Sequence, residues 1–158
     1  MKSPFKKVIG IDPGKGGGIA VITEENEIEI HPCPKRIKDM SMLIDISLND
    51  VAAYRTQVFI ENVHAFPTDG RVGSFTFGQN YGQWEGILYS HELDPKYVTP
   101  KVWQSHFNIE KGLPKNVRKK HLKELAKEKF PKIKGITLKT ADAILIAVYG
   151  NEAILSVK

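Results

Sequence analysis

Three short apolar segments near the start of the chain have the pattern of β-strands. Each is rich in β-branched residues, and turn-forming residues lie between them. The predicted strands are 8–12, 19–22 and 28–31. Because the glycine-rich turn 13–18 joins the first two, they should form a β-hairpin. Alternation of side chains along the first strand places Asp12 on the face opposite Ile9 and Ile11.

Apolar residues farther along the chain recur at helical spacing, and two more strand-like segments lie between them. The predicted helices are 37–54, 75–89, a short helix that begins at Pro100, 116–130 and 141–154, and the predicted strands are 58–61 and 97–98. In the fourth helix the residues predicted to face the core are Val117, Leu122, Leu125 and Ala126. Pro131 would end that helix, and Thr140 would cap the last one. This order of elements predicts an α/β fold, and we expect a single domain over residues 1–158.

Composition narrows the class of protein. The 158 residues are 41% hydrophobic and 26% charged, which is enough apolar material for one packed core. The longest apolar stretch, 143–149, is far shorter than the roughly 20 residues that cross a bilayer, so we expect no membrane association. Cys33 is the only cysteine, which excludes an intramolecular disulfide framework and a cysteine-rich zinc site. A cytoplasmic location is therefore the expectation.

Positive charge is concentrated in one part of the chain. The formal net charge is +5, but the segment 111–134 holds ten Lys or Arg against two Glu, a net +8, which leaves −3 for the rest. Such segregation is typical of a surface that binds nucleic-acid phosphates, although a solvated helix face gives the same pattern. The candidate phosphate contacts here are Lys111, Lys115, Arg118, Lys119 and Lys120. Lys15, between two glycines in the hairpin turn, is either a further phosphate contact or an ordinary turn residue.

Three acidic residues lie at the ends of apolar elements, where an ionised carboxylate is costly unless it is paired or binds a metal. Asp12 ends the first strand, Glu61 ends the strand 58–61, and Asp142 lies in the first turn of the last helix. Each has an ordinary explanation, as a turn residue, the first polar residue after a strand, or an acid at a helix N-terminus. If the two strands are neighbours and the helix packs over their edge, however, three oxygen ligands converge, which suits Mg²⁺ or Mn²⁺.

The order of these motifs resembles a known family. The segments 9–14 (Ile-Gly-Ile-Asp-Pro-Gly), 17–20 (Gly-Gly-Ile-Ala), 58–61 (Val-Phe-Ile-Glu) and 141–147 (Ala-Asp-Ala-Ile-Leu-Ile-Ala) follow one another as in the RuvC-like Holliday-junction resolvases of the RNase H superfamily. The segments 98–103 (Val-Thr-Pro-Lys-Val-Trp) and 127–131 (Lys-Glu-Lys-Phe-Pro) are similar to the phage-type members in particular. The resemblance covers roughly residues 7 to 150.

The resemblance implies a fold, an activity and a set of site residues. The implied fold is RNase H-like, an α/β fold with a five-stranded mixed sheet flanked by helices. The implied activity is structure-selective cleavage of four-way DNA junctions by a homodimer that uses Mg²⁺, with Mn²⁺ able to substitute. By position, Asp12 would bridge two ions, Glu61 would hold one of them and Asp142 the other. Branched DNA and a second copy of the chain are the implied partners.

The chain departs from the family pattern just before Asp142. Family members usually carry a further acid or His about one helical turn earlier, where this chain has Thr137, Leu138 and Lys139. On a continuous helix, Lys139 would share a face with Asp142 and would be a neighbour of the site. If Thr140 caps the helix instead, Lys139 lies in the loop and points away. The missing family ligand implies a site of three carboxylates, or one with a basic group where a ligand is usual.

The segment 64–82 combines aromatic residues with several glycines. Its aromatic residues are Phe66, Phe75, Phe77 and Tyr81, and Arg71 adds a positive charge. Such a segment would stack on unpaired bases at the junction centre, with Arg71 and Phe75 as contacts. The alternative is that the aromatics belong to the core of the following helix, which we expect more for the others than for Phe75.

Three functional classes are compatible with this sequence to different degrees. The first is a metal-dependent junction endonuclease, with a flap or other branched-DNA nuclease as a variant of it. The second is an actin-like ATPase or sugar kinase, whose first hairpin also carries a Gly-x-Asp-x-Gly motif, but those enzymes need two lobes and nothing after residue 70 repeats the motif. The third is a junction-binding protein that keeps the fold with little or no catalysis.

Overall fold

The computed structural model describes residues 3–49, 51–64 and 67–156. The strands are β1 (Lys7–Asp12), β2 (Gly18–Thr23), β3 (Ile28–Pro32), β4 (Thr56–Glu61) and β5 (Pro95–Val98). They form one five-stranded sheet in the order β3-β2-β1-β4-β5. The pairs β1–β2 and β2–β3 are antiparallel, while β1–β4 and β4–β5 are parallel. The predicted hairpin and mixed sheet are confirmed, and β5 begins at Pro95, slightly earlier than predicted.

Helices cover both faces of the sheet. They are α1 (Ile37–Leu48), α2 (Arg71–Ser90), α3 (Pro100–His106), α4 (Lys115–Lys129) and α5 (Ala141–Ser156), with a 3-10 turn at Ala53–Arg55. Apolar residues of α1 and α2 pack on the face that carries Ile9 and Ile11, whereas α3, α4 and α5 pack on the opposite face, which carries Val8. Within the described ranges, none of these helices is long and apolar enough to span a membrane. The two layers bury separate apolar clusters, one on each side of the sheet.

Helix α5 lies directly on strand β1 because Gly10 has no side chain. A Cβ atom at Gly10 would lie 2.4 Å from both the carbonyl oxygen of Ala143 and the amide nitrogen of Ala147, which is too close for any other residue. The part of α5 that faces the sheet, 141–148, is buried throughout. This close packing holds the start of α5, and with it Asp142, against the carboxyl end of β1.

Two helices differ in extent from the sequence prediction. Helix α1 ends at Leu48 rather than at residue 54, because Asn49 takes a φ of 36°, a left-handed conformation that stops a helix and that Asn tolerates better than most residues. Helix α2 begins at Arg71 rather than at residue 75. Its glycines do not break it, because buried apolar residues in its second half anchor the helix in the core. The glycine-containing segment 64–82 is thus helical from Arg71 onward.

At the start of helix α4, the face that packs on the core differs from the one that the sequence predicts. Leu122 and Ala126 are buried as predicted, and Leu125 is half-buried. Val117, however, is 46% exposed. Residues three or four apart share a helix face, so the buried row runs back from Leu122 to Lys119 and bypasses Val117. A lysine therefore faces α5 where a valine was expected.

Candidate active site

Strands β1 and β4 bring two carboxylates to the same edge of the sheet. The strands pair in parallel with Ile11 opposite Ile60, so Asp12 and Glu61 follow side by side. Both lie on the face covered by α5, because they alternate with residues that pack under α1 and α2. Asp142, in the first turn of α5, joins them, and all three side chains are buried. The structure thus brings the three predicted acids together.

Burial makes this cluster costly to ionise. It raises the pKa of Asp12 well above its ordinary value, and the negative charges of Glu61 and Asp142 raise that pKa further. Burial also raises the pKa of Glu61. A hydrogen bond between Asp12 and Glu61 lets one proton serve both carboxyl groups. In the absence of a bound cation, the site therefore disfavours full ionisation of Asp12 and Glu61 together.

Trp103 holds Glu61 from the side of α3. Its indole Nε1 donates a hydrogen bond of 2.8 Å to Glu61 Oε1, and the ring is fully buried. Burial remains the larger influence on the pKa of Glu61, but this hydrogen bond opposes it by favouring the ionised carboxylate. Trp103 is not among the site residues expected from the sequence. The sequence carries a signal for this contact. A buried indole N–H needs a hydrogen-bond acceptor, and α3 follows β5, the strand that pairs with β4, which ends at Glu61.

Lys119 is the cation inside the cluster. Its ammonium group donates a hydrogen bond to Asp142 Oδ2, forming an ion pair between α4 and α5. Burial lowers the pKa of Lys119, but the charge of Asp142 and its hydrogen bond outweigh burial, so the pKa is raised and the lysine stays charged. The same charge opposes the rise in the pKa of Asp12 and of Glu61. The lysine expected to contact phosphate thus neutralises an acid of the site in this structure.

Lys139 does not join the cluster. Helix α5 begins after it, and Lys139 lies exposed in the preceding turn, where its backbone N–H donates to Thr137 Oγ1. The Thr140 hydroxyl accepts a hydrogen bond from the Thr137 N–H, so it closes this turn and does not cap α5 in the predicted way. The expectation that a continuous helix aligns Lys139 with Asp142 is therefore wrong. The basic group beside Asp142 comes from α4 instead.

The chemistry of the cluster fits a divalent cation. Its carboxylates offer only oxygen ligands, which Mg²⁺ and Mn²⁺ prefer. Asp142 Oδ1 is buried and has no hydrogen-bond partner within the described residues, which leaves an acceptor free for a cation. The three groups do not close around one point, since no three Asp, Glu, His or Cys side chains in the described part of the chain are placed to hold a single ion. The cluster therefore offers oxygen ligands and one free acceptor, but no single position that all three acids share within the described residues.

Helix α2 is attached to the turn that follows Asp12. Asn80 Oδ1 accepts a hydrogen bond of 2.7 Å from the Gly14 N–H, and Asn80 also contacts the Cys33 thiol. Gly14 has a φ of 108°, a conformation that glycine adopts readily and other residues do not. The Phe77 ring fills the space beside it, 3.3 Å from where a Cβ atom would stand. The backbone position of Asp12 thus depends on α2 as well as on the sheet.

Replacing Asn80 by Ala should measure how much this attachment contributes to stability. The Gly14 N–H would lose its acceptor, so we expect the free energy of unfolding to fall by about 1 kcal/mol in urea denaturation. Gln79→Ala, at the exposed neighbouring position of α2, is the matched control and should cost less than about 0.5 kcal/mol. Equal losses in the two variants would show that the hydrogen bond to Gly14 contributes nothing.

The other residues predicted to contact DNA lie on the surface. Those that are exposed are Lys15, Arg71, Phe75, Lys111, Lys115 and Lys120, while Arg118 is half-buried next to Lys119 on α4. Phe75 is 73% exposed, which confirms that it lies outside the core, whereas Phe77 and Tyr81 are partly buried. Phe66 lies outside the described residues. The basic residues of α4 and of the loop before it therefore flank Lys119 in the sequence and are mostly exposed.

Comparison with known proteins identifies the fold. No protein-family model matches the chain, and no curated protein matches it in sequence. Among solved structures, the chain is similar to T. thermophilus RuvC in complex with a Holliday junction substrate, with a TM-score of 0.66 and 14% identity over 95% of this chain and 96% of that chain. A second Thermus thermophilus RuvC structure matches with a TM-score of 0.65 and 15% identity over 94% of this chain and 96% of that one. The chain has the RNase H-like fold of RuvC.

Proposed function

We propose that the protein is a divalent-metal-dependent endonuclease that cleaves four-way DNA junctions by hydrolysis of phosphodiester bonds. The observation that carries this proposal is the buried cluster of Asp12, Glu61 and Asp142 on an RNase H-like fold, with an unpaired carboxylate oxygen and a basic helix beside it. The choice of substrate is supported by the similar RuvC structure that holds a Holliday junction.

The proposal gives each residue of the cluster a role. Asp12, which interacts with both other carboxylates, would be shared by two metal-binding positions, with Glu61 completing one and Asp142 the other. When bound, Mg²⁺ or Mn²⁺ would supply Lewis-acid activation of water and stabilisation of the leaving 3′ oxygen. Trp103 would keep Glu61 oriented and ionised. Lys119 would compete with a cation for the charge of Asp142, because it pairs with Oδ2 while Oδ1 is left free as a ligand.

The proposed DNA-binding surface consists of cations that have no anionic partner in the described part of the chain. Its members are Lys15, Arg71, Lys111, Lys115, Arg118 and Lys120, and none of them forms an ion pair with another described residue. Cations without internal partners are available to backbone phosphates, and such contacts fix the position of DNA without reading its sequence. This surface would hold the strand while the carboxylate cluster acts on it.

We also propose that the active form is a homodimer. Gly78, Gly82 and Gly86 recur every four residues on α2, and a Cβ atom at each would meet open space. Tyr89, farther along α2, is exposed as well. A surface of this kind allows close packing of a second copy, and a two-fold dimer would present two sites to opposing strands of a junction. Sedimentation equilibrium tests this directly, because a dimer has twice the 17.7 kDa mass of the chain.

A cleavage assay tests the proposed function. We expect a labelled four-way junction to be nicked in the presence of Mg²⁺ and to remain intact in EDTA, with a linear duplex of the same sequence resistant under both conditions. Intact junctions at every Mg²⁺ and Mn²⁺ concentration would contradict the nuclease assignment. Cleavage of a flap or a duplex at the rate of the junction would contradict the selectivity and favour a general branched-DNA nuclease.

The second candidate function is a junction-binding protein with weak catalysis. The observation that favours it is the Lys119–Asp142 ion pair. The RuvC-like family usually carries a further acid or His near Asp142, whereas here a lysine lies beside it. Tight junction binding together with cleavage slower than one turnover per hour would support this alternative. The same assay therefore separates the two candidates.

We propose further that the protein is of the phage type and acts in the cytoplasm of a host cell. The support for the first point is the sequence of segments 98–103 and 127–131. The absence of a membrane-spanning helix in the described ranges is compatible with the second.

Replacing Phe75 by Ala should weaken junction binding and leave duplex binding unchanged. The ring is 73% exposed on the first turns of α2, so its removal creates no cavity. If Phe75 stacks on a base at the opened junction centre, the loss is about 1 to 3 kcal/mol of junction binding energy in an anisotropy titration. An unchanged junction affinity would remove Phe75 from the DNA contacts.

A further inference from the structure

A cleft lies between α3 and α4, the two helices that supply Trp103 and Lys119 to the carboxylate cluster. It has a volume of about 370 Å³, and its polar lining includes Lys101, Gln104 and Ser105 from α3 and Lys111 and Arg118 from the loop and helix that follow. Glu110 also lines it and is exposed. The volume is ample for a phosphate group and its ester oxygens, and it is smaller than most sites for whole organic cofactors.

The cations of this cleft have no ion-pair partner among the residues that the structure describes. Lys101, Lys111 and Arg118 form no ion pair with any residue of the described ranges. The Nε atom of Arg118 is buried and donates no hydrogen bond to a described residue. A buried guanidinium N–H without an acceptor is unfavourable, and a ligand oxygen that enters the cleft would relieve it after a small rotation of the side chain. An arginine that can present Nε and Nη together matches the geometry of a phosphate.

Both walls of the cleft continue into the active site. On α3, Gln104 lines the cleft and its neighbour Trp103 donates to Glu61. On α4, Arg118 lines the cleft and its neighbour Lys119 pairs with Asp142. The same two helices thus supply residues to the cleft and to the carboxylate cluster.

We propose that this cleft is a subsite for one backbone phosphate of the DNA strand, adjacent to the phosphate that is cleaved. The inference rests on the proposed function for its location in the reaction, but the binding itself needs only DNA. Lys101, Lys111 and Arg118 supply the charge, and Gln104 and Ser105 supply neutral donors. The subsite positions the strand and does not take part in bond cleavage.

The test combines protein variants with DNA that is neutral at single positions. Arg118→Gln and Lys111→Gln each remove one cation, and Lys132→Gln removes an exposed cation beyond the other end of α4, about 20 Å away at 1.5 Å per residue. Affinity is measured in EDTA by anisotropy, with oligonucleotides that carry one methylphosphonate at successive positions. Inorganic phosphate is titrated separately, to distinguish free phosphate from a DNA phosphate.

For wild-type protein we expect one methylphosphonate position to weaken binding about tenfold, the effect of losing a charge-assisted contact. Arg118→Gln should weaken binding of unmodified DNA by a similar factor and make the protein insensitive to that one position. Its salt dependence should fall by about one unit of log–log slope. Lys132→Gln should respond to the methylphosphonates as wild type does.

Several outcomes would overturn the subsite. It is excluded if Arg118→Gln and Lys111→Gln keep the wild-type response to every methylphosphonate, or if Lys132→Gln loses affinity to the same extent. Saturation by inorganic phosphate at micromolar concentration, with no competition from DNA, would assign the cleft to a free anion instead. Lys111 is exposed in a loop, so its variant remains informative even if Arg118→Gln is unstable. Because binding is measured without metal, a failure of cleavage would contradict the nuclease proposal and leave this result standing.

Discussion

Replacing Asp12 by Asn should abolish cleavage while DNA binding survives. Asn keeps the shape of the side chain but removes the negative charge that two metal-binding positions would share. The loss of several kcal/mol of transition-state stabilisation corresponds to a rate at least about a thousandfold lower. Junction affinity in EDTA should be equal or slightly higher, because Asn cannot carry the negative charge that Asp12 brings near the phosphates when it ionises. Single-turnover cleavage and anisotropy titrations measure the two effects separately.

Asp39→Asn is the matched control for this substitution. Asp39 is on α1 and pairs with Arg36 at the surface, so the same chemical change there should leave cleavage within about twofold of wild type. A near wild-type cleavage rate for Asp12→Asn would show that the reaction takes place elsewhere on the molecule.

Asp12→Asn should also remove part of the pH dependence of stability in the metal-free protein. Burial raises the pKa of Asp12, so the folded state holds this proton more tightly than the unfolded state does. The resulting stabilisation is fully present below the unfolded pKa of about 3.9 and is lost as the pH rises through the folded pKa. We therefore expect the melting temperature in EDTA to fall more steeply with rising pH for wild type than for the variant. Parallel curves would mean that Asp12 ionises freely in the fold.

The positions of Asp12 and Glu61 follow from simple rules that a sequence carries. Strand alternation places each acid on the face opposite its apolar neighbours, and parallel pairing brings the carboxyl ends of both strands to one edge. Asp142 follows because the glycine at position 10 lets α5 lie on β1. These are effects of backbone geometry, and they depend little on the details of side-chain packing.

The remaining parts of the site depend on packing between elements distant in sequence. Lys119 and Leu122 are three residues apart, so the sequence already places them on one face of α4. Only the contact with α5 shows that this face is buried at Lys119 as well as at Leu122. The hydrogen bond from Trp103 to Glu61 joins residues from different elements in the same way. The extent of α2 was underestimated because glycine disfavours isolated helices, while the tertiary contacts of its second half stabilise this one.

Replacing Lys119 by Met should destabilise the metal-free protein and strengthen its metal binding. Met keeps most of the apolar stem and the helix propensity but removes the charge that pairs with Asp142. Breaking a buried ion pair from one side costs about 3 to 5 kcal/mol, and we expect the lower end because the Lys119 side chain is 28% exposed. The exposed neighbour Lys120 provides the control, since Lys120→Met should change the free energy of unfolding by less than about 0.5 kcal/mol.

The gain in metal affinity follows from the same ion pair. Lys119 occupies Asp142 Oδ2 and offsets the charge of Asp12 and Glu61, so its ammonium group competes electrostatically with a divalent cation that binds the free Oδ1 of Asp142. Without the ammonium group, the carboxylates repel one another and only an added cation can neutralise them. We therefore expect Mn²⁺ to raise the melting temperature of Lys119→Met more than that of wild type or Lys120→Met, and to bind more tightly in calorimetry. An identical Mn²⁺ response in all three proteins would show that the lysine and the metal do not compete. If they do compete, metal binding frees the ammonium group of Lys119 for a phosphate. Lys119 would then pair with Asp142 in the metal-free protein and contact DNA, as the sequence predicts, in the metal-bound protein.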